Sequence, residues 1–367
     1  MKNNSERKLV RGLHYPYGVN WAPEPGQPYK IAEGVYWLRV PLPISLDHIN
    51  LWLLEDGDGW TIVDTGMDVP DIQAIWNDVL ENFCQGHTIK RVIVTHMHPD
   101  HIGLAGWLCE KFDCYLWTTR EEFLMCKALV QDTGKPAPEA AISFYQAAGH
   151  DEAQIEDYKQ RFGSFGEKVY RMPDAFRRLT DRETININGL YWQVITGHGH
   201  SPEHAALYCP ALKLLISGDQ VLPRITPIVS VFPFEPKSDP LREWLASCAK
   251  IQNLLPDDVL VLPAHQEPFY GLHVRLAQII ESHERGLDRL YELLEEPKLS
   301  IECFEALFRS KVTEETFFMA TGETLAHLNC LLGRKMISRQ RRDGRDYYQQ
   351  LPEACKYDLL GSQKGAD

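Results

Sequence analysis

The first third of the chain carries short apolar segments whose lengths and flanking turns are typical of β-strands. Three of them cover 35–40, 48–54 and 60–64, and Asp56-Gly57-Asp58-Gly59 between the last two predicts a hairpin turn. An amphipathic stretch over 69–83 predicts a helix, and the apolar run 91–94 predicts a short buried strand. Strands followed by βα units are the order expected for half of an αββα sandwich.

The middle of the chain, residues 118–165, has the pattern of an inserted helical segment. Helices are predicted over 120–131, 139–148 and 151–162, and Gly- and Pro-containing breaks separate them. We predict that this segment forms a helical cap over the functional site and provides a pocket for an apolar or extended acyl group. The alternative is that its apolar side chains are ordinary core.

The second half returns to strands and then becomes helical. The predicted elements are a strand over 190–196, a hairpin of 205–209 with 213–217, a loop over 221–236, a helix over 239–253, a strand over 258–262, and helices over 271–294, 300–309 and 313–332. A last hairpin turns at Arg342-Asp343-Gly344. These patterns predict an irregular N-terminal arm (1–30), a catalytic domain (31–296) and a small C-terminal domain (297–367).

Composition narrows the class of protein. Of 367 residues, 44% are hydrophobic and 24% charged, as in ordinary globular proteins, and the length allows one large domain or two. A net charge of −13 argues against broad electrostatic binding to nucleic acid or to an anionic membrane. We find no apolar run long enough to span a membrane and no secretory signal. The nine cysteines form no CxxC pair, which predicts reduced thiols in a cytoplasmic protein.

Candidate metal ligands are concentrated in the loop that follows the strand over 91–94. His96, His98, Asp100 and His101 lie within six residues, between that strand and a predicted helix. His96 and His98 are two residues apart, so an extended backbone directs them to the same side. After the bend at Pro99, Asp100 and His101 can face a neighbouring point, which suits two borderline metal ions rather than one. The alternative is a chance cluster of histidines on a polar loop.

This loop resembles the HxHxDH signature of the metallo-β-lactamase-fold hydrolases at every specified position. Other landmarks of that family follow in the expected order, at Asp64-Thr65-Gly66, Gly199-His200-Ser201-Pro202, Ser217-Gly218-Asp219 and Pro263-Ala264-His265. The resemblance covers roughly residues 30–290. It implies an α/β fold, the four-layer αββα metallo-β-lactamase sandwich, here with a helical insertion. The C-terminal helices and hairpin resemble the winged-helix-like tail of one branch, the β-lactamase-like protein 2 group, some of whose members cut RNA.

The resemblance also implies a set of metal ligands. It assigns His96, His98 and His200 to one metal ion, and Asp100, His101 and His265 to the other, with Asp219 bridging them. His198 and His204 compete with His200, but the family pattern of glycine, histidine and Ser/Thr-Pro selects His200. Asp64 is expected to support the ligand histidines rather than to bind metal; alternatively it only caps the turn after its strand.

The implied chemistry is hydrolysis by a dinuclear centre. Zn²⁺, two ions per chain, is the default cofactor for such N/O ligands, and iron or manganese is compatible. Paired ions make hydroxide available near neutral pH, and Asp100 or Asp219 could orient it and shuttle its proton. The expected substrate is an ester, thioester or lactone. Family members that hydrolyse antibiotics include enzymes with cysteine where this chain has Asp219, which argues against a β-lactamase. Arg224 could meet a substrate carboxylate or phosphate, although a surface salt bridge is the simpler interpretation.

Three other functions remain open from the sequence. Two-metal sites also suit phosphodiesterases, and a basic cluster in the C-terminal hairpin could hold an RNA or DNA backbone. Its members are Arg334, Lys335, Arg339, Arg341, Arg342 and Arg345. The cluster could equally be a solvated hairpin or a homodimer contact, as could the cap helices. A non-enzymatic regulator that reads DNA through its tail, and oxygen chemistry with iron, are the remaining alternatives.

Overall fold

Two β-sheets form the centre of the computed structural model, which describes residues 8–351. The strands are β1 (Leu9–Val10), β2 (Leu13–His14), β3 (Tyr29–Ala32), β4 (Val35–Pro41), β5 (His48–Asp56), β6 (Gly59–Val63), β7 (Ile89–Ile93), β8 (Leu116–Thr118), β9 (Phe176–Arg178), β10 (Thr184–Ile187), β11 (Leu190–Gly197), β12 (His204–Cys209), β13 (Leu214–Gly218), β14 (Leu260–Pro263), β15 (Ile337–Arg342) and β16 (Arg345–Gln350). The sequence predicted most of the longer strands but not β8, β9 or β10, which have three or four residues each.

Ten α-helices connect or follow these strands. They are α1 (Pro70–Asp78), α2 (Pro99–Ile102), α3 (Ala105–Phe112), α4 (Arg120–Val130), α5 (Glu139–Ala148), α6 (Glu152–Arg161), α7 (Pro240–Leu254), α8 (Leu272–Leu293), α9 (Phe304–Leu307) and α10 (Phe317–Gly333) within the described part of the chain. The helix predicted over 69–83 ends as an α-helix at Asp78 and continues as one π-helical turn over Val79–Phe83. None of the helices among residues 8–351 is long and apolar enough to cross a membrane.

The larger sheet has seven strands in the order β3-β4-β5-β6-β7-β8-β9, and the smaller has five in the order β10-β11-β12-β13-β14. In the larger sheet the pairs up to β5–β6 are antiparallel and those from β6–β7 onward are parallel. In the smaller sheet only β13 and β14 run parallel. Parallel neighbours bring the ends of β6, β7, β13 and β14, which lead into the predicted ligands, to one edge of their sheets.

The central strands β5 and β6 of the larger sheet are buried on both faces. Along β5, Leu51 and Leu53 pack with the core on the helical side, where Trp76 of α1 and Phe123 of α4 also lie. Trp52 and Leu54 alternate with them and point into the second core, which is shared with the smaller sheet. Burial of both faces explains why the strand reads as a continuous apolar run rather than an alternating one. The two face-to-face sheets with outer helices confirm the predicted sandwich.

The described residues separate into two compact units. The first combines those of Met1–Lys135 with Phe162–Pro227 and Ser247–Ala277, and contains both sheets of the sandwich. The second combines Pro136–Arg161, Ile228–Ala246 and the described residues of Gln278–Asp367. The helices predicted as one cap are therefore divided, with α4 in the first unit and α5 and α6 in the second. A cap over the metal centre stays a prediction.

The second unit is built around α10, whose residues are buried on most sides. Hydrogen bonds connect the C-terminal end of α5 to the rest of this unit. The Ser300 hydroxyl donates to Ala148 O (2.9 Å), and His150 Nε2 lies 3.0 Å from the hydroxyl of Thr321 in α10. Helices followed by the β15–β16 hairpin agree with the predicted element order. The winged-helix comparison and a dimer contact through this unit stay predictions.

Candidate metal centre

The structure brings all seven predicted ligands together within the first unit. Two groups form, each with its nitrogen and oxygen atoms within 4.8 Å of one another. We call His96, His98 and His200 the first group and Asp100, His101 and His265 the second group, with Asp219 adjoining both. Six of the seven residues are buried, and His98 is half-buried.

Local structure explains how the first two histidines converge. His96 and His98 lie in the loop after β7, and His98, in extended backbone, precedes the first turn of α2, with Pro99 as its first residue. Nε2 of His96 and Nδ1 of His98 lie 2.9 Å apart, so both lone pairs can point at one ion. Burial lowers the pKa of His98 to about 3, which keeps its ring neutral as ligation requires.

Asp219 lies between the groups and faces each with a different oxygen. Oδ2 is 3.4 Å from His200 Nε2 and 4.0 Å from His96 Nε2. Oδ1 is 3.4 Å from His265 Nε2 and 3.6 Å from His101 Nε2. Burial opposes the charged form of Asp219, but the rings of His265 and His101 outweigh it and hold its pKa well below the usual range. A carboxylate in this position is able to bridge two cations.

Three of the ligand rings have Nδ1 in a hydrogen bond, which orients each ring. His101 Nδ1 donates to Asp64 Oδ2 at 2.8 Å, and His265 Nδ1 donates to His48 O at 2.8 Å. The Thr95 hydroxyl donates to Asp64 Oδ2 (2.8 Å) and accepts from His96 Nδ1 (3.1 Å). In each case Nε2 is left facing the centre, as metal ligation needs. Asp64 supports the histidines and has no position in either group.

The chemistry of the donor set fits divalent cations. His101 Nε2, His265 Nε2 and Asp219 Oδ1 are buried polar atoms that have no hydrogen-bond partner among the described residues. Burial of such atoms is costly unless something satisfies them, and a cation bound between imidazole nitrogens and carboxylate oxygens would do so. These residues could therefore hold two metal ions.

The two histidines on either side of His200 in the sequence have different partners. His198 is half-buried, and its Nδ1 donates to Pro202 O at 2.6 Å. His204 is fully buried, and its Nε2 accepts the backbone N–H of Asp219 at 3.2 Å. Both roles are structural, and that of His204 bears directly on the candidate bridging residue.

Two buried features of the centre were not predicted from the sequence. The Glu122 carboxylate on α4 accepts hydrogen bonds from the Met97 N–H (2.8 Å), the Ser201 hydroxyl (2.6 Å) and the Glu203 N–H (2.7 Å). Burial raises its pKa to about 6 despite these donors. Gly218, with φ +50°, lies so close to His204 that a Cβ would come within 2.4 Å of Nε2. The phase of α4 was a usable signal, since Glu122 falls on the same face as the buried Cys126, one turn on.

Arg224 is held by an acidic neighbour. Its guanidinium makes two hydrogen bonds to Glu267, of 2.6 and 3.2 Å, and lies over the Tyr15 ring at 5.9 Å. Glu267 is 2% exposed. The structure shows a salt bridge for Arg224, as the simpler interpretation had it, but the carboxylate is buried and not at the surface.

The basic cluster of the C-terminal hairpin is partly neutralised. Arg334 forms a bidentate pair with Glu284 (2.7 Å for both bonds), and Arg341 bonds Asp346 (2.8 Å). Arg342 lies over the Tyr347 ring at 5.6 Å. Fewer cations are therefore left for a phosphate backbone than the sequence suggests.

Comparison with known proteins agrees with this geometry. Residues 44–265 match the model of the metallo-beta-lactamase superfamily, and residues 287–351 match that of the metallo-beta-lactamase-like C-terminal domain. The crystal structure of a beta-lactamase domain protein from Burkholderia ambifaria is similar with a TM-score of 0.84 and 37% identity, over 92% of this chain and 98% of that one. A metallo-beta-lactamase family protein from Thermus thermophilus has a TM-score of 0.74 and 26% identity, over 88% of this chain and 100% of that one.

Curated relatives point to the same class of enzyme. The probable metallo-hydrolase YqjP of Bacillus subtilis is 24% identical over 323 residues, which cover 84% of this chain and 95% of YqjP. A hydroxyacylglutathione hydrolase of Albidiferax ferrireducens is 26% identical over 49% of this chain and 50% of its own. An atrochrysone carboxyl ACP thioesterase of Aspergillus fumigatus is 21% identical over 79% of this chain and 55% of its own. The family match, the relatives and the donor set agree, and the chain belongs to the metallo-beta-lactamase superfamily as a metal-dependent hydrolase.

Proposed function

We propose that this protein hydrolyses an ester, thioester or lactone with a dinuclear metal centre, and that the metal is zinc. The observation that carries the proposal is the position of Asp219, with one oxygen toward each group of ligands. Bound there, two divalent cations would lower the pKa of a water, polarise the bond under attack and stabilise the departing oxygen or sulfur.

The protein's own residues have distinct tasks in this proposal. The first group, the second group and Asp219 hold the ions, while Asp64, Thr95 and the carbonyl of His48 fix the orientation of three ligand rings. Asp100 Oδ2 lies 3.4 Å from His265 Nε2 and 3.7 Å from His101 Nε2, at the edge of the second group. From there Asp100 can orient a water and hold its proton, and Asp219 is the other carboxylate that could do so.

An acyl substrate is supported by two relatives and by Asp219 itself. The hydroxyacylglutathione hydrolase and the ACP thioesterase act, by their names, on thioesters. Aspartate rather than cysteine at 219 remains an argument against β-lactam hydrolysis. We propose that the acyl group is bound by the helical cap and that the protein acts on a small molecule in the cytoplasm.

Metal analysis and a substrate panel on one preparation test the proposal. The panel holds an acyl thioester, a lactone, an aryl ester, bis-p-nitrophenyl phosphate and a short RNA. Two zinc ions per chain with turnover of a thioester, ester or lactone would support it. Cleavage of the phosphodiester or the RNA would replace the acyl substrate by a nucleic acid, and one iron without hydrolysis would reject both.

A further inference from the structure

The buried carboxylate of Glu122 joins the two loops that carry the first group. Its side chain extends from α4 in the same unit as the metal centre and is fully buried. Oε2 accepts the Met97 N–H, and Met97 stands between His96 and His98. Oε1 accepts both the Ser201 hydroxyl and the Glu203 N–H, which lie directly after His200 and directly before His204.

Met97 and Ser201 are next to ligands of the first group, and Glu203 is next to His204. None of the three donors is next to a ligand of the second group. His101 is oriented by Asp64, and His265 by the carbonyl of His48. The hydrogen bonds of Glu122 therefore go to the two loops of the first group, whereas Asp64 orients His101 directly and His96 through the Thr95 hydroxyl.

We propose that Glu122 is a positioning residue that sets the spacing between the loop of His96 and His98 and the loop of His200. It thereby determines the affinity of the first group for its metal ion. This inference rests on the ligand assignment of the proposed function but not on any substrate. A carboxylate is suited to the task because two oxygens can accept three hydrogen bonds from two directions at once.

Substitution by glutamine changes this arrangement at constant size. The amide of Glu122→Gln retains one accepting oxygen and turns an NH₂ group toward a donor, either Met97 N–H or the Ser201 and Glu203 pair. One loop is then left without an acceptor. Loss of hydrogen bonds that orient ligands typically costs 10–100-fold in metal affinity, so we expect a loss of that order for one ion of the two.

The experiment is a titration of metal-free protein with Co²⁺, followed by its d–d absorption, and with Zn²⁺, followed by calorimetry. We expect wild-type protein to bind two ions, and Glu122→Gln to bind one ion with wild-type affinity and the other about 10–100-fold more weakly. The control is Glu121→Gln, which removes the same charge from the adjacent, exposed position of α4. Circular dichroism and thermal unfolding of each metal-free variant check the fold.

Equal weakening of both ions, or no change in either, would overturn the proposal. If Glu122→Gln does not fold, Ser201→Ala removes one of the three donors and should weaken the same single ion by a smaller factor. An unchanged first ion in that variant would overturn the proposal as well. Wild-type protein that binds two ions but cleaves no member of the acyl panel would reject the proposed substrate and leave the role of Glu122 intact.

Discussion

The backbone N–H of Asp219 donates to Nε2 of His204 at 3.2 Å, so a histidine outside both ligand groups holds the backbone of the candidate bridging residue. Burial lowers the pKa of His204 well below its ordinary value, which keeps Nε2 unprotonated and able to accept. We expect His204→Ala to reduce metal affinity about 10–100-fold, because Asp219 loses the bond that orients its backbone. A Zn²⁺ titration of the metal-free variant measures this.

His198→Ala is the matched control, since His198 lies in the loop that leads to His204 and its side chain bonds the Pro202 carbonyl through Nδ1. Its Zn²⁺ affinity should stay within about threefold of wild type, well below the 10–100-fold loss expected when an orienting bond is removed. An equal loss in both variants would mean that the loop as a whole, and not the bond to Asp219, controls affinity.

Substitution of a metal ligand should reduce activity more than substitution of a residue that only orients a ligand. His98→Ala and Asp219→Ala are each expected to lower kcat/KM by more than about 100-fold, while the metal-free fold survives. Activity on the substrate identified in the panel and far-ultraviolet circular dichroism are the measurements. Asp174→Ala, at an exposed aspartate, serves as the control. Full activity in either ligand variant would remove the dinuclear mechanism.

Gly218 is the position where a single methyl group should disturb the centre. A Cβ there would lie 2.4 Å from His204 Nε2 and 3.0 Å from the Thr95 hydroxyl, in backbone with φ +50°. We expect Gly218→Ala to cost about 2–4 kcal/mol of stability, from overpacking and positive φ together, and to reduce bound metal. Gly344→Ala has φ +79° and nothing within 4 Å of the new Cβ, so it should cost only about 1 kcal/mol.

Denaturant unfolding of the metal-free proteins and metal analysis separate the two effects. Metal content should fall in Gly218→Ala and stay at the wild-type level in Gly344→Ala. Normal metal content in both would show that His204 and Thr95 can move aside without consequence for Asp219.

Arg224 is expected to act on stability rather than on substrate. Arg224→Met would leave the buried carboxylate of Glu267 without its cation, at a cost of about 2–4 kcal/mol for this partly exposed arginine. The double variant Arg224→Met with Glu267→Gln should recover much of that loss, because the uncompensated charge is gone. Denaturant unfolding measures both. A KM raised about tenfold with unchanged kcat would instead identify Arg224 as a substrate contact.

The second unit should lose stability in mild acid through His150. Burial lowers the pKa of His150 to about 4, against an ordinary value of about 6.5, and its ring lies among aromatic side chains. Because the folded pKa lies below the unfolded one, the unfolded chain takes up the proton first. The contribution is present above pH 6.5 and is lost as the pH falls from 6.5 toward 4, by at most about 3 kcal/mol.

Unfolding of metal-free protein at pH 7 and pH 4.5 tests this, since metal release then cannot contribute. His150→Gln should show a smaller difference between the two pH values than wild type does. His87→Gln, at an exposed histidine of the first unit, should keep the wild-type difference. An unchanged difference in His150→Gln would mean that other groups cause the acid sensitivity.

The sandwich could be predicted because its strands are apolar and its ligand loops carry unusual residues at strand ends. The seven candidate ligands are brought together as the motif implied, although their binding of metal stays a prediction. Glu122 was overlooked because a carboxylate in a helix is normally solvated, and only its helical phase argued otherwise. The sequence could not predict that the cap helices belong to two units. That division depends on contacts such as the one between His150 and Thr321, which are 171 residues apart.

Burial of β5 and its neighbours on both faces has a thermodynamic consequence. Apolar contacts on each side of the larger sheet stabilise this fold, whereas zinc fingers are stabilised by the ion itself. Folding and metal uptake should therefore be separable equilibria, with the apo-protein a true native state. Bound ions would stabilise the folded state only by the amount that their affinity and free concentration set. A chelator would therefore abolish activity without unfolding the protein.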